Sequence, residues 1–329
     1  MQTVETQRLH ADTQGIARAA TLLRAGALVA FGTETVYGLG ADATDPRAVN
    51  AVFAAKQRPR HNPLIIHLAD ADAAFREVRE SDLARAFAAR FWPGPLTLVL
   101  PRLPASRVCP GAAAGLDTLA VRVPAGDAAR RLLHETDRPV AAPSANRSGR
   151  ISPTLAAHVL DGLGGRIDAV LDCGPCVVGL ESTVLALDDD GATLLRPGGI
   201  ATEAIASLLA EYGAPPLLAA LPHDPPRGPG QLAAHYAPSL PVRLDADTAH
   251  DDEALLAFGP APDHAGPIWN LSPSCDLTEA AQRLFAGLRA LDTQASALSL
   301  AGIAAMPIPA HGLGLAIRDR LARAAAATQ

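Results

Sequence analysis

Lysine is all but missing from this sequence: of 28 lysine and arginine side chains in 329 residues, only Lys56 is lysine. A phosphate-binding loop of the GxxxxGK[ST] kind needs a lysine after its glycines. The lone one sits in Ala55-Lys56-Gln57, so any nucleotide use is of another kind. Basic charge is not in excess either. A formal net charge of −6 leaves no general surface that would gather nucleic acid by releasing counterions. Apolar runs fall short of the roughly 18 residues a membrane span requires. The opening MQTVETQRLH is polar and has no apolar signal core. No membrane association is expected, and the chain reads as soluble and cytoplasmic.

Cysteine is also sparse. Four in a chain of this size do not make a disulfide framework. Cys173-Gly174-Pro175-Cys176 has the letters of a redox centre, but that chemistry places its first thiol at a helix N-terminus. Here the strand-like STVLAL follows within a few residues, so a plain turn is expected. No His/Cys/Asp spacing makes a metal cage. Gly38-Leu39-Gly40-Ala41-Asp42-Ala43 matches GxGxxA by letters. It follows the polar TETVY rather than a clear strand, so GTETVYGLGADATD is expected to be a loop and not a dinucleotide site.

What is present is organised. A helix and then a buried strand, ALVAF, are expected between residues 16 and 31. Asp45-Pro46 supplies a helix cap and a first-turn proline, and Val49, Val52, Phe53 and Lys56 share one stripe of the helix that follows. A cation on an inward stripe needs a partner or a cleft. Arginine would serve equally as charge at a helix end, so the surviving lysine points to a cleft that wants a compact ammonium. Further strands are expected at PLIIHL, PLTLVL, TLAVRVP, RPVAAP, AVLDCG and STVLAL, with helices between several of them and one near 202–212. The pattern gives a mixed α/β sheet. Residues 213–241 carry eight prolines and read as a stiff linker. Beyond it, VRLDAD, LLAFG and IWNLS are short strands. DLTEAAQRLFAGLRALDT and GLGLAIRDRLARAA are helices of a second, smaller α/β unit. The boundaries expected are 1–212, 213–241 and 242–329.

Polar residues accumulate in loops between the apolar strands of the first unit. Lys56, Arg58, Asn62 and His67 fall in one proline-broken segment, and Arg122 sits inside an apolar strand, where an unpaired guanidinium would be costly. Ser144, Asn146 and Ser148 stand in PSANRSG, a loop of small donors suited to phosphate oxygens. Ser182 opens a strand and Arg196 lies in LLRPGG. Several cations with small donors and few carboxylates make the composition of a polyanion pocket.

In order along the chain, TETVYGLGADA, KQRPRHNPLIIH, FWPGPLTLVL, VRVP, APSANRSG, GLESTVLAL and LLRPGG resemble the YrdC-like domain of L-threonylcarbamoyladenylate synthases. The run from Pro229 to Pro238 and the ending GLGLAIRDRLARAA resemble the longer, two-domain form of that family. The resemblance implies a twisted mixed sheet with a concave active face, followed by a Rossmann-like α/β domain. It implies a reaction in which L-threonine, bicarbonate and ATP, accompanied by magnesium, give threonylcarbamoyl-AMP and pyrophosphate. The product would pass to tRNA threonylcarbamoyl-transfer proteins, with direct tRNA contact left open. Carried over by motif, Thr35, His67, Arg122, Ala142 and Ser182 would hold threonine. Lys56, Arg58, Asn62, Thr118, Ser144, Asn146, Ser152 and Arg196 would hold ATP, with Tyr236 folding back over it and Lys56 and Arg58 acting on the chemistry. Two other readings stay open: carbamoyl transfer through carbamoyl-adenylate, and a structured-RNA-binding module without chemistry.

Overall fold

The computed structural model describes residues 5–188, 191–220, 228 and 235–327. Asp45 accepts the Arg47 amide and Pro46 takes the first turn, so helix Pro46–Lys56 starts where the sequence says it should. It stops at Gln57, whose left-handed backbone (φ 55°) turns the chain out of the helix. The expected inward stripe is buried, Lys56 included.

Eleven strands form the larger sheet. Its middle runs Val29–Gly32, Tyr37–Asp42, Val140–Ala141, Ile65–His67, Thr118–Arg122, Leu96–Pro101, Thr183–Asp188 and Gly191–Arg196. Pairings of both senses occur: Ile65–His67 is parallel to Thr118–Arg122, which is antiparallel to Leu96–Pro101. Helices Thr13–Arg24 and Asp127–Thr136 pack on this sheet, and a core of Leu39, Val52, Ile66, Phe87, Leu98 and Val121 fills one side. The sheet takes its last strand, Leu218–Ala219, from the proline-rich segment.

One expectation needs correction. GTETVYGLGADATD is not all loop, because Tyr37–Asp42 is a strand antiparallel to Val29–Gly32. Its glycines serve close packing: a Cβ on Gly40 would stand 2.9 Å from the Val29 carbonyl and the Phe31 ring. The polar edge strand Gln7–His10, the strand Gly191–Arg196 and the strand Gly302–Ala305 were also not foreseen.

The second sheet is all parallel, in the order Val242–Arg243, Gly302–Ala305, Glu253–Ala257, Ile268–Asn270. Helices Leu277–Ala297 and Gly314–Ala326 pack beside it. Its apolar core does not close on itself. Val36, Ile151 and Leu180 of the first unit, together with Tyr236, join Leu284, Phe285 and Leu288 in one buried cluster. The units touch at backbone level: a Cβ on Gly179, which has φ 73°, would meet Gln282 Cα at 2.4 Å. Among the described residues no helix is long and apolar enough to cross a membrane.

Candidate active site

Register brings the first two site residues together. His67 and Arg122 are opposite partners on adjacent parallel strands. Ser182 precedes the strand Thr183–Asp188, whose antiparallel neighbour ends at Arg196. The cleft over these strand ends is lined by Thr35, Arg58, Asn62, His67, Arg122, Ala142, Ser144, Ser182, Arg196 and Tyr236, all expected from the sequence. Thr33, Glu181 and His235 also line it.

The other four expected residues stand outside this lining. Lys56, expected to open into the cleft, instead turns its ammonium to the main-chain carbonyls of Ser144 and Asn146 and is 1 % exposed. A short ammonium with three donors can satisfy two neighbouring carbonyls of a tight loop, which a planar guanidinium fits poorly. Asn146 donates from Nδ2 to the Arg147 and Arg150 carbonyls and so braces the same loop. Ser152 is buried and donates to Glu181 Oε1 at 2.6 Å. Thr118 shares a strand face with Arg122, about 13 Å along at ~3.3 Å per residue, where it lines a separate hollow with Val99 and Leu187.

Charge in the cleft is arranged in two parts. Arg122 is paired with Glu34 (2.6 Å) and donates to the Gly94 carbonyl. Glu34 also accepts the Ala125 amide. Beside Arg122, burial and that cation push His67 down to about 3, so the ring is neutral at ordinary pH. Its Nδ1 is buried without a partner among the described residues. Thr33 and Thr35 hydroxyls pair at 2.8 Å, and Ser182 pairs with Thr97 at 2.7 Å.

The second part is more cationic. Arg58 uses Nε and Nη2 on the Asn62 and Pro63 carbonyls, and Arg196 donates to the Ser182 carbonyl at 2.8 Å. Neither has a carboxylate partner among the described residues. Burial and Arg196 together lower Arg58 to about 10, and burial with Arg58 holds Lys56 well below its ordinary value. These are the marks of a hollow waiting for negative charge.

Tyr236 closes that hollow. It has a left-handed backbone (φ 65°), uncommon for a bulky residue, and is 1 % exposed. Its ring stacks on Phe285 at 5.4 Å, and the Arg320 guanidinium lies 5.3 Å over it. The next residue, Ala237, donates its amide to the Gly149 carbonyl. The rest of the run from Pro229 to Ala234 lies outside the described residues. With His235 and Tyr236 in place the cleft keeps about 50 Å³ free, room for a water or two and not for a nucleotide.

Sequence reasoning missed Glu34, Glu181, Arg320 and His235. Glu34 and Glu181 sit inside motifs read for their neighbours. Arg320 lies 139 residues from its partner Glu181, in a helix with no local sign of a site. The CxxC segment is the plain turn expected: Cys173 and Cys176 are free, and burial pushes Cys173 up to about 11 and Cys176 further.

Known proteins are similar to this chain along nearly its whole length. Residues 21–198 match the Sua5/YciO/YrdC family model, described as telomere recombination, and residues 200–326 match the C-terminal domain of threonylcarbamoyl-AMP synthase. The chain is 41 % identical to the threonylcarbamoyl-AMP synthase of Pyrococcus abyssi over 93 % of its length and 92 % of the relative's. It is 38 % identical to that of Bacillus subtilis over 97 % and 95 %. The crystal structure of Pyrococcus abyssi Sua5 complexed with L-threonine superposes with a TM-score of 0.86. That alignment has 36 % identity over 99 % of this chain and 98 % of that one.

Proposed function

The chain belongs to the threonylcarbamoyl-AMP synthases in their long, two-domain form, and from that premise we propose that its cleft joins L-threonine, bicarbonate and ATP into threonylcarbamoyl-AMP and pyrophosphate. The observation that carries the reading is the division of the cleft. One end has a neutral His67 beside the braced Arg122, with paired hydroxyls nearby. The other has Arg58 and Arg196 without carboxylate partners among the described residues, beside the Ser144 loop.

Arg122 takes the threonine carboxylate in a charge-assisted pair, with Thr35, Ser182 and the small Ala142 around the side chain. The neutral His67 can meet the substrate without adding repulsion to its ammonium. Arg58, Asn62, Ser144 and Arg196 take the phosphates. Lys56, Asn146 and Ser152 act through the loop and wall they hold, and Thr118 meets ATP further along the same strand face. Threonine's amine adds to bicarbonate with loss of water, giving a carbamate. A carbamate oxygen then attacks the α-phosphorus and the bond to pyrophosphate breaks. The carbamate is short-lived in water, so exclusion of solvent matters, and Tyr236 must withdraw to admit ATP and return to cover it. Alignment and neutralisation of charge at Arg58 and Arg196 then lower the barrier.

Magnesium fits this site poorly as a resident ion. Among the described residues no three His, Cys, Asp or Glu side chains gather as ligands. Glu181 on the cleft wall is taken by Ser152 and Arg320. The ion belongs with the ATP phosphates. The product's place is in threonylcarbamoyl modification of tRNA, handed on by transfer proteins in the cytoplasm. The test is incubation of the full chain with ATP, bicarbonate and threonine, omitting each in turn, with mass detection of the adenylate. Formation only with all three supports the reading. Pyrophosphate release without threonine sinks it.

A further inference from the structure

The C-terminal unit reaches the active-site wall through a charged side chain as well as through Phe285 against Tyr236. Arg320, on helix Gly314–Ala326, is fully buried and crosses to the first unit. Its Nε donates to Glu181 Oε2 at 2.9 Å, and its Nη1 donates to the Pro197 carbonyl at 2.8 Å and to Asp319 at 2.6 Å. Glu181 lines the cleft together with Ser182 and Arg196. Its other oxygen holds Ser152. One carboxylate therefore joins the cleft wall to the second domain.

The charges around this carboxylate decide what Arg320 does. Arg196 and Arg320 are the cations that face Glu181, and Asp319 faces Arg320 while also pairing with Arg323. Burial would raise the Glu181 carboxyl, but Arg320 and Arg196 hold it down at about 2, so it stays ionised. A buried carboxylate takes the nearest available cation. With Arg320 in place that demand is met from behind the wall. Among the described residues Arg196 keeps only the Ser182 carbonyl and hydroxyl as side-chain partners, and its Nε has none.

We propose that Arg320 is a positioning residue for ATP: it satisfies Glu181 so that Arg196 stays available to the nucleotide's phosphates. This rests on the cleft being the nucleotide site, and it gives the C-terminal domain an electrostatic role in an active site it does not line. Removing Arg320 would leave Glu181 to draw Arg196 away or to repel the phosphates. ATP should weaken in either case. Threonine, held at the Arg122 end, should not.

The test is calorimetric titration of ATP and of threonine into the full-length protein, which needs no turnover. Arg320→Met should raise the Kd for ATP at least tenfold and change that for threonine less than threefold. Arg320→Lys, which keeps the charge, should recover part of the loss. The discriminating variant is Arg320→Met combined with Glu181→Gln. If the carboxylate is the cause, removing its charge should bring ATP binding back to within about threefold of wild type. A merely structural role for Arg320 would leave the double variant as weak as the single one, or weaker, and that result overturns the proposal. An ATP Kd unchanged in Arg320→Met overturns it too. Should wild type bind ATP yet make no adenylate, the assigned reaction fails while the Arg320 effect is still read from the titrations.

Discussion

The Lys56 ammonium is hydrogen-bonded to the Ser144 carbonyl, 88 residues further along the chain, and not presented to the cleft. The one lysine of the sequence is a peg for the loop that carries Ser144. Lys56→Met would leave the Ser144 and Asn146 carbonyls buried without a donor, at about 1–3 kcal/mol each. Urea unfolding should show the loss, and adenylate formation should fall with it because the loop is displaced. A variant of wild-type stability that has lost turnover would contradict the peg and favour direct contact with substrate.

His67 makes stability depend on pH. Histidine ordinarily titrates near 6.5, and burial beside Arg122 takes this one down to about 3. Between those values the unfolded chain binds a proton that the folded chain refuses. The contribution is complete above pH 6.5 and drains as pH falls toward 3, at about 1.4 kcal/mol per pH unit. Half-buried His235, also at about 3, adds in the same direction. Unfolding free energies at pH 7 and pH 5 should therefore differ by about 2 kcal/mol less in His67→Gln than in wild type. Equal losses in the two proteins would show that His67 is not held neutral.

Arg122 and Glu34 are buried together as an ion pair at the threonine end. Arg122→Met alone should cost about 3–5 kcal/mol of stability, because Glu34 is left buried and charged without its cation. Adding Glu34→Gln should restore much of that while threonine binding stays at least a hundredfold weak, with ATP little changed. Calorimetry on both variants decides it. Threonine affinity returning in the double variant would remove Arg122 from the carboxylate's contacts.

The thiols give a simpler check. Cys275 is exposed, whereas burial raises Cys109, Cys173 and Cys176. At pH 8 a disulfide reagent should modify one thiol rapidly in the native protein and four in denaturant. Rapid reaction at Cys173 would reopen a redox role for the CxxC segment.

How much of this was legible in the sequence follows the range of the interactions. Helix Pro46–Lys56 was readable because its cap, its proline and its inward stripe lie within the twelve residues 45–56. Strand Tyr37–Asp42 was not, because Gly38 and Gly40 signal a loop locally and earn their place only against Ala142 and Phe31 across the sheet. Ten of the fourteen expected site residues share the cleft, since ordered motifs carry strand ends with them. What stayed hidden was pairing at a distance. Nothing near Arg320 announces Glu181, and nothing near Lys56 announces the carbonyls of Ser144 and Asn146.

The central claim is that one cleft holds amino acid and nucleotide side by side. A crystal structure of the chain with L-threonine and a non-hydrolysable ATP analogue tests it most directly. The account predicts the threonine carboxylate on Arg122, the phosphates on Arg58 and Arg196, and Tyr236 shifted to cover them. Phosphates bound away from Arg58 and Arg196, or threonine outside the cleft, would contradict it.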